Sequence, residues 1–122
     1  MFRYPGPPWL GKAQRAALTL KATTRGASRA GQSVYVVLLY DSRRAEPWGL
    51  YVGQTSRDPD LRFDQHKAGY KASGAARRFG VRLLPDLVAH LNPMRPWEAL
   101  DLEAALAEAF RAAGVPWVEG GH

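Results

Sequence analysis

Hydrophobic positions fall along this chain in two rhythms, one helical and one strand-like. Across residues 9–23 apolar side chains recur at Leu10, Ala13, Ala17 and Leu20, with Lys12, Gln14, Arg15 and Lys21 largely off that stripe. This spacing predicts an amphipathic helix. Before it, Arg-Tyr-Pro-Gly-Pro-Pro at 3–8 reads as an extended arm, because proline blocks helix there. Val34-Tyr35-Val36-Val37-Leu38-Leu39-Tyr40 is an unbroken β-favouring run, the pattern of a strand covered on both faces. A polar stretch at 41–47 separates it from Trp48-Gly49-Leu50-Tyr51-Val52-Gly53-Gln54, the second strand of an expected hairpin. Asp58-Pro59 carries the N-cap and first-position signals of a helix that ends at Gly69. Residues 70–79 read as a basic loop, 81–84 as a short third strand and 85–91 as a short helix. Residues 96–113 keep a helical period and stop at Gly114 and Pro116. The tail, 115–122, shows no pattern.

These elements predict one α/β domain of the α+β kind. Its small, mainly antiparallel three-stranded sheet is flanked by helices and preceded by a basic helical extension. The expected division is 1–33 for the extension and 34–122 for the domain, with a chain beginning near Val34 expected to fold. A length of 122 residues suits one domain and hardly two.

Charge refines this picture through its location. Residues 1–40 hold Arg3, Lys12, Arg15, Lys21, Arg25 and Arg29 and no acid, so the whole net charge of +6 arises in the first third. A one-signed segment suits a polyanion. Lys67, Lys71, Arg77, Arg78 and Arg82 form a second basic stretch without an intervening acid. Cysteine is absent, which excludes disulfides, thiolate metal sites and thiol catalysis, and fits a cytoplasmic location. No apolar run is long enough for a membrane span.

Several residues bear chemistry. Glu103 lies on the flank of the helical stripe formed by Ala99, Leu102, Leu106, Phe110 and Ala113. A carboxylate beside a core face needs hydrogen bonds or a cation: it is either a salt-bridge partner or a ligand for a hard cation. Arg62 and His66, four apart, share a helix face. They form either a solvated pair or an anion site with a bidentate guanidinium and a titrating imidazole. Tyr35 and Tyr51 stand on adjacent strands, where they pack or bring two phenols together. A phenol with a pKa of about 10 needs cationic help to ionise. Gly53 either relieves a bend or lets a phosphate approach the backbone. Trp97 and Trp117 read as core or tail anchors, and His90 as structural.

Taken in order, Val34-Tyr35, then Tyr51-Val52-Gly53-Gln54-Thr55, then Arg62 with His66, then Glu103 resemble the GIY-YIG nuclease family from Val34 to about Phe110. Ser33 stands where that family has glycine, and the asparagine often found beyond the glutamate is absent. The resemblance implies a metal-dependent endonuclease acting on nucleic acid, with DNA ranked first. One Mg²⁺ or Mn²⁺ would sit on Glu103, Tyr35 would be general base with His66 assisting, and Tyr51 would position water or phosphate. Arg62 would neutralise the transition state. Lys67, Lys71, Arg77, Arg78, Gly53, Arg25 and Arg29 would contact the nucleic acid, and a protein partner is open as a targeting device. Two other classes stay open: a binding module of this fold without catalysis, and a protein-interaction scaffold. The nuclease reading expects Tyr35, Tyr51, Arg62 and Glu103 to converge on one open cleft.

Overall fold

In a computed structural model, the described residues are 6–26, 31–56, 58–67 and 74–121; of His66 and Lys67 only the backbone is described. The chain runs α1 (Leu10–Leu18), β1 (Ser33–Tyr40), β2 (Trp48–Thr55), α2 (Pro59–Lys67), α3 (Gly74–Phe79), β3 (Gly80–Leu83), a 3-10 turn (Pro85–Leu87), α4 (Pro96–Ala112) and β4 (Val118–Gly120). The α+β architecture expected from the sequence is present, but the sheet is four-stranded and mixed, in the order β3-β1-β2-β4. β1 pairs antiparallel with β2 and β3. The patternless tail supplies the added strand, which pairs parallel to β2 from Leu50 to Val52. α4 is the crossover that lets β4 return in the direction of β3, as a parallel arrangement requires. The basic stretch at 70–79 is also not all loop: its second half is α3.

β1 is buried on both faces, as its continuous apolar run demands. Alternate residues Val34, Val36 and Leu38 join Leu50 and Val52 against Ala99, Leu102, Leu106 and Phe110 of α4. The other set, Tyr35, Val37 and Leu39, packs with Trp117, Phe63, Phe79 and Leu83 on the face covered by α2 and α3. The sheet thus separates two cores.

The N-terminal segment is not an appendage. Trp9, Ala13 and Ala17 belong to the α4-side core, and both alanines are fully buried. His90 Nε2, as the N–H tautomer, donates to the Ala17 carbonyl at 2.9 Å. The division at residue 33 is therefore not a packing boundary, and a chain lacking 1–30 would expose the core side of α4. A second tie fastens the chain after α1. Glu98 accepts four hydrogen bonds, from the backbone N–H and the hydroxyl of both Thr23 and Thr24, at 2.6–2.8 Å. The sequence places Glu98 away from the apolar stripe, yet it is 6% exposed. Its burial comes from the Thr23–Thr24 segment folding over it rather than from the helix's own pattern.

The Thr24 hydroxyl foremost, with the other three donors, holds the Glu98 carboxyl down to about 2, against the opposing effect of burial. A depressed carboxyl stabilises the fold above its unfolded pKa, and that contribution is lost as pH falls through the folded value. Melting temperatures of the wild type and Glu98→Gln should therefore differ above about pH 5 and draw together as pH falls to about 2. A gap that stays constant over that range would show that the carboxylate's charge is not what the threonines hold.

Candidate active site

The hairpin register brings Tyr35 opposite Gly53 and Val37 opposite Tyr51, so both phenols lie on the α2–α3 face. Their ring centroids are 6.1 Å apart. Tyr35 is 3% exposed, and Tyr51 is half-buried. A Cβ at Gly53 would stand 2.5 Å from Tyr35 Cζ and 2.6 Å from its hydroxyl. Gly53 is therefore the seat of the Tyr35 phenol, which answers the open question about this residue: its missing side chain is already filled from within the protein.

Arg62, half-buried one turn into α2, donates a hydrogen bond to the Tyr35 hydroxyl, which is also hydrogen-bonded to Tyr51. Arg62 also donates to Gln65 Oε1 at 3.3 Å. Three of the expected site residues thus form one connected group at the Ser33–Thr55 end of the hairpin. Burial first, then the neighbouring Tyr51, raises the Tyr35 pKa well above the ordinary phenol value; Arg62 opposes the shift without cancelling it. Tyr35 is held as a neutral phenol.

Glu103, on α4, is held from β2 by Gln54. It is 7% exposed and accepts a hydrogen bond from Gln54 Nε2 at 2.8 Å, while Gln54 Oε1 accepts from Gln32 at 3.3 Å. Gln54 is opposite Val34, so alternation turns it to the α4 face, away from Gly53 and Tyr51. Glu103 meets Gln54 on the α4 side of β2, whereas Tyr35, Tyr51 and Arg62 meet on the α2–α3 side. Glu103 reaches the same end of β2 from the opposite face. Pairing of β4 with β2 stops at Val52, and the stretch from Gly53 to Thr55 lies between the two groups.

A hard divalent cation fits Glu103 in one specific way. Among the described residues no group of three or more His, Asp or Glu gathers to form a protein cage. Mg²⁺ commonly takes one or two carboxylates and completes its shell with water and phosphate oxygens. A single carboxylate oriented by the Gln54 amide meets that requirement.

The other expected contacts divide. Arg77 and Arg78 are exposed on α3, on the Tyr35 side of the sheet, and Arg25 is exposed beside Thr24. Arg29 and Lys71 lie outside the described residues, as do the side chains of His66 and Lys67. Trp117 is an anchor as expected, whereas Trp97 is 55% exposed and anchors nothing.

Sequence reasoning missed two residues that build the site. Asn92 uses its side-chain amide as a strand edge, accepting from Val34 N–H at 2.9 Å and donating to Val34 C=O at 2.7 Å. It fixes the backbone immediately before Tyr35. Glu119 pairs in register with Tyr51 and accepts from the Trp117 indole at 3.0 Å. It is a carboxylate on the tyrosine face. Only knowledge of β4 could have revealed it.

Comparison with protein-family models, curated proteins and solved structures found no match.

Gly53→Ala should displace the Tyr35 phenol, costing about 1–3 kcal/mol as overpacking does. Tyrosine absorbance during an alkaline titration checks the local effect: the most resistant phenol of the wild type should titrate at lower pH once it is driven from its seat. An unchanged titration with unchanged stability would refute the assignment of Gly53.

Proposed function

We propose that this protein is a metal-dependent endonuclease that hydrolyses phosphodiester bonds of nucleic acid, with DNA the first candidate. The observation that carries the reading is the Arg62 guanidinium hydrogen-bonded to a buried phenol beside a second phenol, at the strand end where Gln54 holds Glu103. Arg62 offers a planar, permanently charged fork suited to two phosphate oxygens. It is anchored from behind by Tyr35, which lowers the cost of orienting it. Charge developing on phosphorus would then meet a donor already in position. Tyr51, with its ring half-buried, is suited to hold water or phosphate. A divalent ion on Glu103, when bound, supplies Lewis-acid stabilisation of phosphate oxygens and acidifies bound water. Tyr35 enters this scheme as a neutral phenol that orients Arg62 and Tyr51.

One alternative is a binding module that retains the fold and the arginine but does not cut, with Glu103 a structural carboxylate satisfied by the Gln54 amide. The two readings differ in a single comparison. For the enzyme, Glu103→Ala abolishes Mg²⁺-dependent nicking while DNA affinity, read by fluorescence anisotropy, is kept. Arg62→Lys retains charge but not the fork, and should lower the nicking rate by about 10²–10³-fold with a much smaller change in affinity. Wild-type binding without nicking in Mg²⁺ or Mn²⁺ establishes the module. Glu103→Ala nicking at the wild-type rate removes Glu103 from the chemistry.

A further inference from the structure

The tyrosine face repeats one construction at two places. At Gly53 the missing side chain seats the Tyr35 ring, and the Arg62 guanidinium meets it. At Gly49, four residues back along β2, the missing side chain seats the Trp117 indole: a Cβ there would stand 2.6 Å from the ring. The Arg44 guanidinium covers that indole at 3.7 Å from its centroid. Arg43 lies 5.7 Å from the centroid of Phe79, whose ring is edge-on to Trp117 at 5.5 Å. The turn joining β1 to β2 thus folds its two arginines onto the same face as the candidate site. The arginine side chains stay accessible, 75% exposed for Arg43 and 43% for Arg44. Arg77 and Arg78 are exposed on α3 just before Phe79. Asp41 pairs with both arginines, at 3.1 Å from Arg43 and 3.9 Å from Arg44, so a phosphate would compete with it; Glu46 of the same turn is exposed, and Glu119 accepts from the Trp117 indole.

A guanidinium stacked on an aromatic ring loses little further freedom when its N–H edge takes an anion. Four strand residues span about 13 Å. We infer that Arg43 and Arg44 form a second phosphate-contacting site on the face that carries Arg62, the two glycine seats lying about 13 Å apart along β2. The inference rests on the nucleic-acid reading of that face and deepens it. The partner is a polynucleotide whose backbone reaches both guanidinium sites, a span of about four base steps of duplex rise. A mononucleotide or dinucleotide is too short to bridge them.

The test is binding without catalysis: fluorescence anisotropy in EDTA, over a range of salt, with a duplex of about 16 base pairs and a competing dinucleotide. Arg43→Gln should lower the slope of log affinity against log salt by about 0.9, and Arg43→Gln/Arg44→Gln by about twice that. The dinucleotide, which reaches one site only, should compete much more weakly than the duplex. Because Arg44 covers Trp117, circular dichroism confirms the fold of the double variant; Arg43→Gln removes an exposed side chain and stands as the safe variant. Arg111→Gln, on α4 across the sheet, should leave the slope unchanged. Wild-type slopes in both turn variants, with the duplex still bound, would overturn the second site and leave the nuclease reading standing. A wild-type protein that does not bind the duplex would overturn both.

Discussion

Tyr35 has space for its phenol only because Gly53 stands opposite it, and the arrangement of the candidate site follows from that contact. The ring fills the volume a side chain would take and brings its hydroxyl to Arg62 and Tyr51. Burial raises the phenol's pKa, and its hydroxyl is a fixed hydrogen-bonding post for a guanidinium. β1 can carry such a post because both of its faces are covered. Its exposed edge before Tyr35 is completed by the Asn92 side chain, and Gln32 exchanges backbone hydrogen bonds with Met94 at 2.7 and 2.8 Å. Rigidity of this kind is what a site needs if its donors are to meet developing charge without rearranging.

Gly53 and Gln54 present opposite faces of β2. Side chains one residue apart on a strand point to opposite faces, so Gly53 belongs to the phenols and Gln54 to Glu103. A phosphate served by both groups would lie at the β2 edge from Gly53 to Thr55, where β4 no longer pairs. This arrangement makes Gln54 as important to the account as the residues with evident chemistry, since it links the carboxylate to the strand that carries the phenols.

Much of this was legible in the sequence for a physical reason. β1 and β2 are long and strongly apolar, so their pairing, and with it the meeting of Tyr35 and Tyr51, follows from the pattern. Arg62 follows because the Asp58-Pro59 start fixes its helix. The face taken by Glu103 was not legible, because it depends on hairpin register and on which side α4 packs. Burial of Glu98 was hidden too, being supplied by Thr23 and Thr24 some seventy residues away in sequence. β4 has three residues, too few for alternation to show, and Gly120 and Gly121 disguise it further. α3 was masked by Arg77 and Arg78, whose charge conceals the packing of Ala75, Ala76 and Phe79. Trp97 misled because its bulk suggests an anchor, although its position on α4 faces outward.

The claim that this face and this strand edge cut nucleic acid is tested most directly by the chemistry of the ends produced. Purified wild-type protein, incubated with supercoiled plasmid and Mg²⁺, is expected to yield nicked circles that DNA ligase reseals without prior treatment, because departure of the 3′-oxygen, as in the nuclease family the chain resembles, leaves a 5′-phosphate beside a 3′-hydroxyl. Plasmid that stays supercoiled in Mg²⁺ and in Mn²⁺, with the protein demonstrably bound to it, would contradict the account.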